Sequence, residues 1–189
     1  MKTTRASAIA GFTVVALVAL AVAVWQMHPW RESAAWVPTC SDLTTAMQGA
    51  AGGAWTVSKP DAGRDKNDTS TVCQIAFITT GRRHTGTVDV FIAGTPDPDT
   101  TGRQAATADC AGTPAPAPAP AGYLVYRACT RNAGDRINET VIAARQRRWA
   151  TLSLSAAIPA DGNPAEVSRF AHTAAGKLAD LGLTLPEDR

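Results

Sequence analysis

Few side chains in this sequence are of types that do chemistry. There are three histidines, His28, His84 and His172, and four cysteines, Cys40, Cys73, Cys110 and Cys129. Nucleophilic catalysis needs a base within hydrogen-bond reach of a serine or cysteine, and the known local signatures of such sites (G-x-S-x-G, S-x-x-K, H-E-x-x-H) do not occur. A triad assembled from distant residues leaves no spacing to read, and no serine stands out as its nucleophile. No catalytic residue is therefore assigned. Zinc sites use close C-x₂₋₄-C or H-x₃₋₅-H pairs, and the sequence has neither, so no metal and no cofactor are expected. Asp65-x-Asn67-x-Thr69 has the alternating oxygens of a calcium loop but lacks its glycine and its closing glutamate, and reads as a polar surface loop. Asn67-Asp68-Thr69 and Asn138-Glu139-Thr140 match glycosylation sequons, a pattern short enough to arise by chance. His84 falls in a turn, and His172 sits one position off an apolar stripe, where it is expected to face solvent.

Two basic clusters remain. Arg82 and Arg83 occupy one turn, and Arg145, Arg147 and Arg148 another. Brought to the same sheet edge, they would make a basic rim for anionic lipid headgroups or a phosphate-bearing wall polymer. Beyond residue 36, basic and acidic residues balance one to one, which argues against nucleic acid as a partner.

The cysteines need a compartment. All four follow residue 36, and an even count in an exported domain reads as two disulfides. Cys40–Cys73 and Cys110–Cys129 are the favoured pairs, because each closes a loop within its own half of the domain. Export is expected from the N-terminus. Ala8–Trp25 carries no charge, and its eighteen residues span roughly 27 Å as a helix, near the thickness of a bilayer's hydrocarbon core. Lys2 and Arg5 precede it, so the positive-inside rule places residues 1–7 in the cytoplasm and the rest outside. The expected organisation is a tail (1–7), a signal anchor (8–25), a juxtamembrane stalk (26–38) and an extracytoplasmic domain (39–186). Trp25, Trp30 and Trp36 follow the anchor, where indole rings suit the membrane interface. Cleavage of the segment as a signal peptide, giving a secreted protein, is the alternative.

The elements that must position these residues follow from periodicity. Thr39 and Asp42 form a capping box for a helix that begins at Cys40. Val72–Thr80 and Thr85–Ala93 alternate as a hairpin, after a short strand at Trp55–Lys59. A short helix opens at Asp97–Asp99. The run Thr113-Pro-Ala-Pro-Ala-Pro-Ala-Pro120 forbids helix and favours an extended strap. Tyr123–Thr130, Ile137–Arg145 and Trp149–Ala156 are three more strands, with Ile137, Val141 and Ala143 on one face. Asn163 caps a long final helix with the apolar stripe Val167, Phe170, Ala171, Ala174, Leu178 and Leu181. Phe170 is expected under the sheet near Leu152 or Leu154. The result is an α+β fold of order α-βββ-α-βββ-α, an antiparallel sheet of about six strands with its helices on one face. Alanine makes up about one residue in five, and aromatics only 6%.

An N-terminal membrane signal, Cys40-x-x-Leu43 opening a helix, Cys73 on a strand, a second cysteine pair, a strand led by Trp149 and a last helix ending Leu181-Gly182-Leu183 resemble the actinobacterial membrane-anchored or secreted envelope proteins, including the LpqN-like lipoproteins of unknown function. The chain departs from the lipoproteins in lacking a lipid-bearing cysteine. The resemblance implies an envelope location and an α+β fold and carries over no catalytic residue. A non-enzymatic binding or interaction module of the envelope is the expected function, with an envelope protein, anionic lipid or wall polymer as partner. A hydrolase with an unrecognised site is the alternative.

Overall fold

The computed structural model describes residues 34–59, 69–115 and 119–186. Ala8–Trp25 lies outside the described residues, among which no helix is long and apolar enough to cross a membrane. Residues 33–189 form one compact unit.

Its elements are α1 (Cys40–Ala51), β1 (Ala54–Lys59), β2 (Ser70–Ile78), β3 (Thr85–Gly94), α2 (Pro98–Thr107), β4 (Thr113–Pro114), β5 (Val125–Asn132), β6 (Arg136–Arg145), β7 (Arg148–Ala157) and α3 (Pro164–Thr184). The described strands form one antiparallel sheet of seven, ordered β1-β2-β3-β7-β6-β5-β4. The expected element order holds, with a two-residue β4 at the edge in addition to the six expected strands. Strands β1–β3 and strands β4–β7 meet where β3 pairs with β7.

Each cap is built as its sequence dictates. Thr39 and Asp42 satisfy each other's backbone N–H at the start of α1. At α3, Asn163 accepts from the Ala165 N–H and Pro164 stands in the first turn. The inner face of the sheet packs against α1 and α3. Ile75, Phe77, Val88, Val90, Ile92, Val141, Leu152 and Leu154 are buried there, beneath Leu43 and Met47 of α1. The buried stripe of α3 is largely alanine: Ala171, Ala174, Ala175 and Ala179, with Val167 and Leu178. Small side chains on the helix let it lie close to a sheet that supplies the bulk, which is how a chain poor in aromatics and rich in alanine still fills its core. Phe170 is only partly buried. It meets Phe77 at 5.6 Å and His84 at 4.3 Å, at the end of the sheet near the β2–β3 turn.

The helices do not share one face. α2 lies on the outer face, over β5, β6 and β7, where Ala105 packs with Ile142, Ala144 and Trp149. The second disulfide requires this. Cys129 alternates with the inward Ala128 and points outward, so Cys110, just beyond α2, must approach from outside. Arg127 donates to the Ala105 and Ala108 carbonyls (2.8 and 2.7 Å) and closes the helix's C-terminal end. Strand β6 is therefore covered on both faces, and its six central residues from Glu139 to Ala144 are all buried.

The folded unit starts inside the expected stalk. Val37 is 1% exposed, and the buried Thr71 hydroxyl donates to the Pro38 carbonyl at 2.7 Å. The Ala35 N–H donates to the Thr95 carbonyl, and Trp36 is half-buried with the Arg148 guanidinium over its ring. Trp36 thus belongs to the domain's packing. Gly94 makes this possible: a Cβ there would lie 1.7 Å from the Ala35 carbonyl oxygen.

Candidate functional site

Both expected disulfides form, Cys40–Cys73 and Cys110–Cys129, and no described cysteine is free. They fit an oxidising, extracytoplasmic compartment.

The five arginines do not make one rim. Arg82 and Arg83 precede the first residue of β3, whereas Arg148 pairs with Gly94, its last. The ten residues of β3 hold the two clusters roughly 30 Å apart. The second cluster is also engaged in the fold. Arg148 donates to the Leu185 carbonyl at 2.7 Å, Arg147 to the Thr95 carbonyl, and Arg145 lies 3.8 Å from Asp180 and over the Tyr123 ring. These arginines clasp the β6–β7 turn to the entry segment and to the end of α3. Arg82 and Arg83 are exposed.

His172 does not simply face solvent. Its Nδ1 lies 2.8 Å from Glu139 Oε1, and the Glu139 side chain is fully buried. Thr130, directly opposite Glu139 in the ladder, donates its hydroxyl to Oε2 at 2.5 Å. A carboxylate at that depth needs such partners, since burying an unpaired charge is costly. With Nδ1–H donated to Glu139, the free acceptor of the ring is Nε2, on a side chain that is 41% exposed. The pair can hold an imidazole in a fixed orientation as a proton acceptor. No serine or cysteine bonds to His172 among the described residues. A signal for Glu139 was present in the sequence: it occupies the inward parity of Ile137, Val141 and Ala143, where an acid is out of place.

Further along α3, the Tyr123 hydroxyl donates to Asp180 at 2.9 Å, and Gly176 leaves room for the Tyr126 hydroxyl, which a Cβ would approach to 3.1 Å. Burial pushes the Tyr123 phenol well above its usual value, and the Asp180 carboxylate adds to the shift. Burial raises Tyr126 as well, with the Glu139 charge second. A raised folded-state value favours the neutral phenol. That stabilisation is fully present below about pH 10, the unfolded value, and is lost as pH rises beyond it. Tyr123 and Tyr126 are the only tyrosines, so an ultraviolet titration reads them alone. Neither should ionise near pH 10 in the folded protein, and tyrosinate should appear together with alkaline unfolding. Ionisation of both near pH 10 with the fold intact would contradict this placement.

The third feature is on the outer face. Beside α2, no described helix covers the outer surface of β1, β2 and β3. Here Val72 is 42% and Ile78 46% exposed. An open slot of about 380 Å³ runs over it, bounded by Lys59, Val72, Gln74, Asp89, Phe91 and Ser153. Two cross-strand rows make its floor. Val72 pairs with Phe91, and Phe91 with Thr151; Gln74 pairs with Asp89, and Asp89 with Ser153. Phe91 is braced by Trp149 at 4.9 Å between ring centres. The Gln74 amide donates to Asp89 Oδ1 at 2.8 Å and accepts from the Ser58 hydroxyl at 3.2 Å. The slot thus has an apolar row beside a polar row, a combination typical of small-molecule sites. Val72 and Phe91 fall on the expected strands, and their outward parity alone carries no functional signal. Their exposure depends on where α2 stops.

The chain's kinship adds nothing to this geometry: no protein-family model, curated protein or solved structure matches it.

Proposed function

We propose that the protein is an extracytoplasmic binding module of the cell envelope, tethered to the membrane through Ala8–Trp25, whose ligand site is the outer-face slot. The observation that carries this reading is the uneven cover of one sheet face. Helix α2 and the Cys110–Cys129 bridge shield β5, β6 and β7, while apolar side chains of β2 and β3 stay open beside them. The two disulfides support the compartment, and the uncharged run after Lys2 and Arg5 supports the tether. Kinship with the LpqN-like envelope proteins belongs to the same proposal. Within it, the exposed Arg82–Arg83 turn is the part of the basic set left for anionic lipid or wall polymer.

The test is native mass spectrometry of the full chain in lipid nanodiscs after exposure to a small-molecule extract of cell envelope. Wild type should retain a ligand that Val72→Asp loses, with the fold of the variant checked by circular dichroism. Identical retention by the two proteins would remove the slot from the function.

The Glu139–His172 pair favours a second reading, hydrolysis with His172 as the base. Ester turnover by the full chain that falls at least a hundredfold in His172→Gln would establish it. Turnover unchanged in that variant would discard it.

A further inference from the structure

The slot has two charged groups, and the register places them. Without interruption, Lys59 would share the inward parity of Trp55 and Val57. A bulge between Val57 and Lys59 inserts Ser58 and brings Lys59 opposite Gln74, whose side chain faces outward. Gln74 in turn pairs with Asp89. The polar row therefore runs Lys59, Gln74, Asp89, Ser153, with a cation at one end and a carboxylate two strands away. Among the described residues the Lys59 ammonium has no partner, and Asp89 bonds only to Gln74, through Oδ1. The two charges do not pair with each other.

From this we infer that the slot takes a short zwitterionic peptide with apolar side chains, about the size of a dipeptide; the inference rests on reading the slot as the ligand site. The peptide's ammonium meets Asp89, its carboxylate meets Lys59, and its side chains lie on Val72 and Phe91. The dimensions agree. Lys59 and Asp89 stand two strand spacings apart, roughly 10 Å between backbones. Two extended residues cover about 7 Å, and a hydrogen bond at each end completes the span. The volume of about 380 Å³ lies at the small end of the range for ligand sites. Addition of the peptide as a further strand is excluded at the polar row, because Gln74 on β2 and Asp89 on β3 are each paired on both sides. Recognition there comes from side chains, and the two charged ones, Lys59 and Asp89, have no ion-pair partner among the described residues.

Calorimetric titration of the full chain in nanodiscs tests this with leucyl-phenylalanine, its N-acetyl form, its C-terminal amide and the doubly blocked peptide. The free dipeptide should bind most tightly. Asp89→Asn should weaken it about tenfold or more and leave the N-acetyl form unaffected. Lys59→Gln should weaken it to a similar extent and leave the amide unaffected. Val72→Asp should abolish binding of all four. If the doubly blocked peptide binds wild type as tightly as the free one, or if the Asp89 and Lys59 variants bind the free dipeptide like wild type, the zwitterion is wrong while loss in Val72→Asp keeps the slot. If none of the four binds wild type, or Val72→Asp binds them unchanged, the slot itself is refuted along with its ligand.

Discussion

Replacing Cys40 and Cys73 together by alanine should lower the unfolding free energy of the Ser33–Arg189 unit by about 4 kcal/mol. The bridge closes a loop of 33 residues, for which chain entropy alone gives about 3.7 kcal/mol. Both cysteines are also buried, at 6% and 7% exposure in the inner core, so truncation leaves a small void besides. The bridge pins the start of α1 to β2 next to Leu43, and its loss frees the element that roofs β1. Replacing Cys110 and Cys129 should cost less, about 3 kcal/mol, because the loop has 19 residues and sits beside the outer cluster. Denaturant melts of the two double variants measure both. A larger cost for the second bridge would mean that α2, and not α1, is the weaker-held helix without its staple. Most domains have only about 5–15 kcal/mol to lose, so either change should also be visible as reduced yield from a reducing compartment.

The second large effect is expected at Trp55, whose replacement by alanine should cost about 3–5 kcal/mol. The residue is 1% exposed on a strand at the sheet's edge, otherwise open to solvent. Its ring stacks on Phe77 at 5.0 Å, and Phe77 leads through Phe170 to His84. Its indole N–H donates to the Gly52 carbonyl, and its own carbonyl accepts from Gln48, so the ring also closes the end of α1. One side chain thereby joins α1, β1 and β2, and reaches the start of α3 through two more rings. Trp149→Phe is the matched control. That indole N–H is buried without a partner among the described residues, so the change removes an unsatisfied donor and keeps most of the contact with Phe91. It should cost less than about 1 kcal/mol, or stabilise. Equal losses from the two tryptophans would show that the aromatic chain along the inner face does not carry the packing.

Phe170 illustrates how far periodicity reaches. Its spacing placed it on the apolar stripe of the last helix, and it does face the protein. Periodicity carries no information about position along the sheet, and Phe170 lies near the β2–β3 turn with His84 and Phe77, against the cluster that also holds Leu152 and Leu154. The helix stripe passes His172 by, so the sequence alone points it to solvent. Its position is decided by Glu139, an inward acid on β6 that had to find a cation or donor once α3 closed over it.

The chain by itself determined its local elements, because capping, turn chemistry and alternation act over a few residues. Thr39 and Asn163 start their helices, the strands alternate as written, and each cysteine finds its partner within its own half. Three things waited for the tertiary structure. The side taken by α2 followed from the outward parity of Cys129 together with an inner face already filled by α1 and α3. The separation of the two arginine clusters followed from strand order, which sets β3 between them end to end. The outer-face slot exists because a ten-residue helix covers only half of a seven-stranded sheet, and a one-residue bulge turns Lys59 toward it. Each depends on contacts between segments far apart in sequence, whose geometry is set by how much surface the other elements leave uncovered.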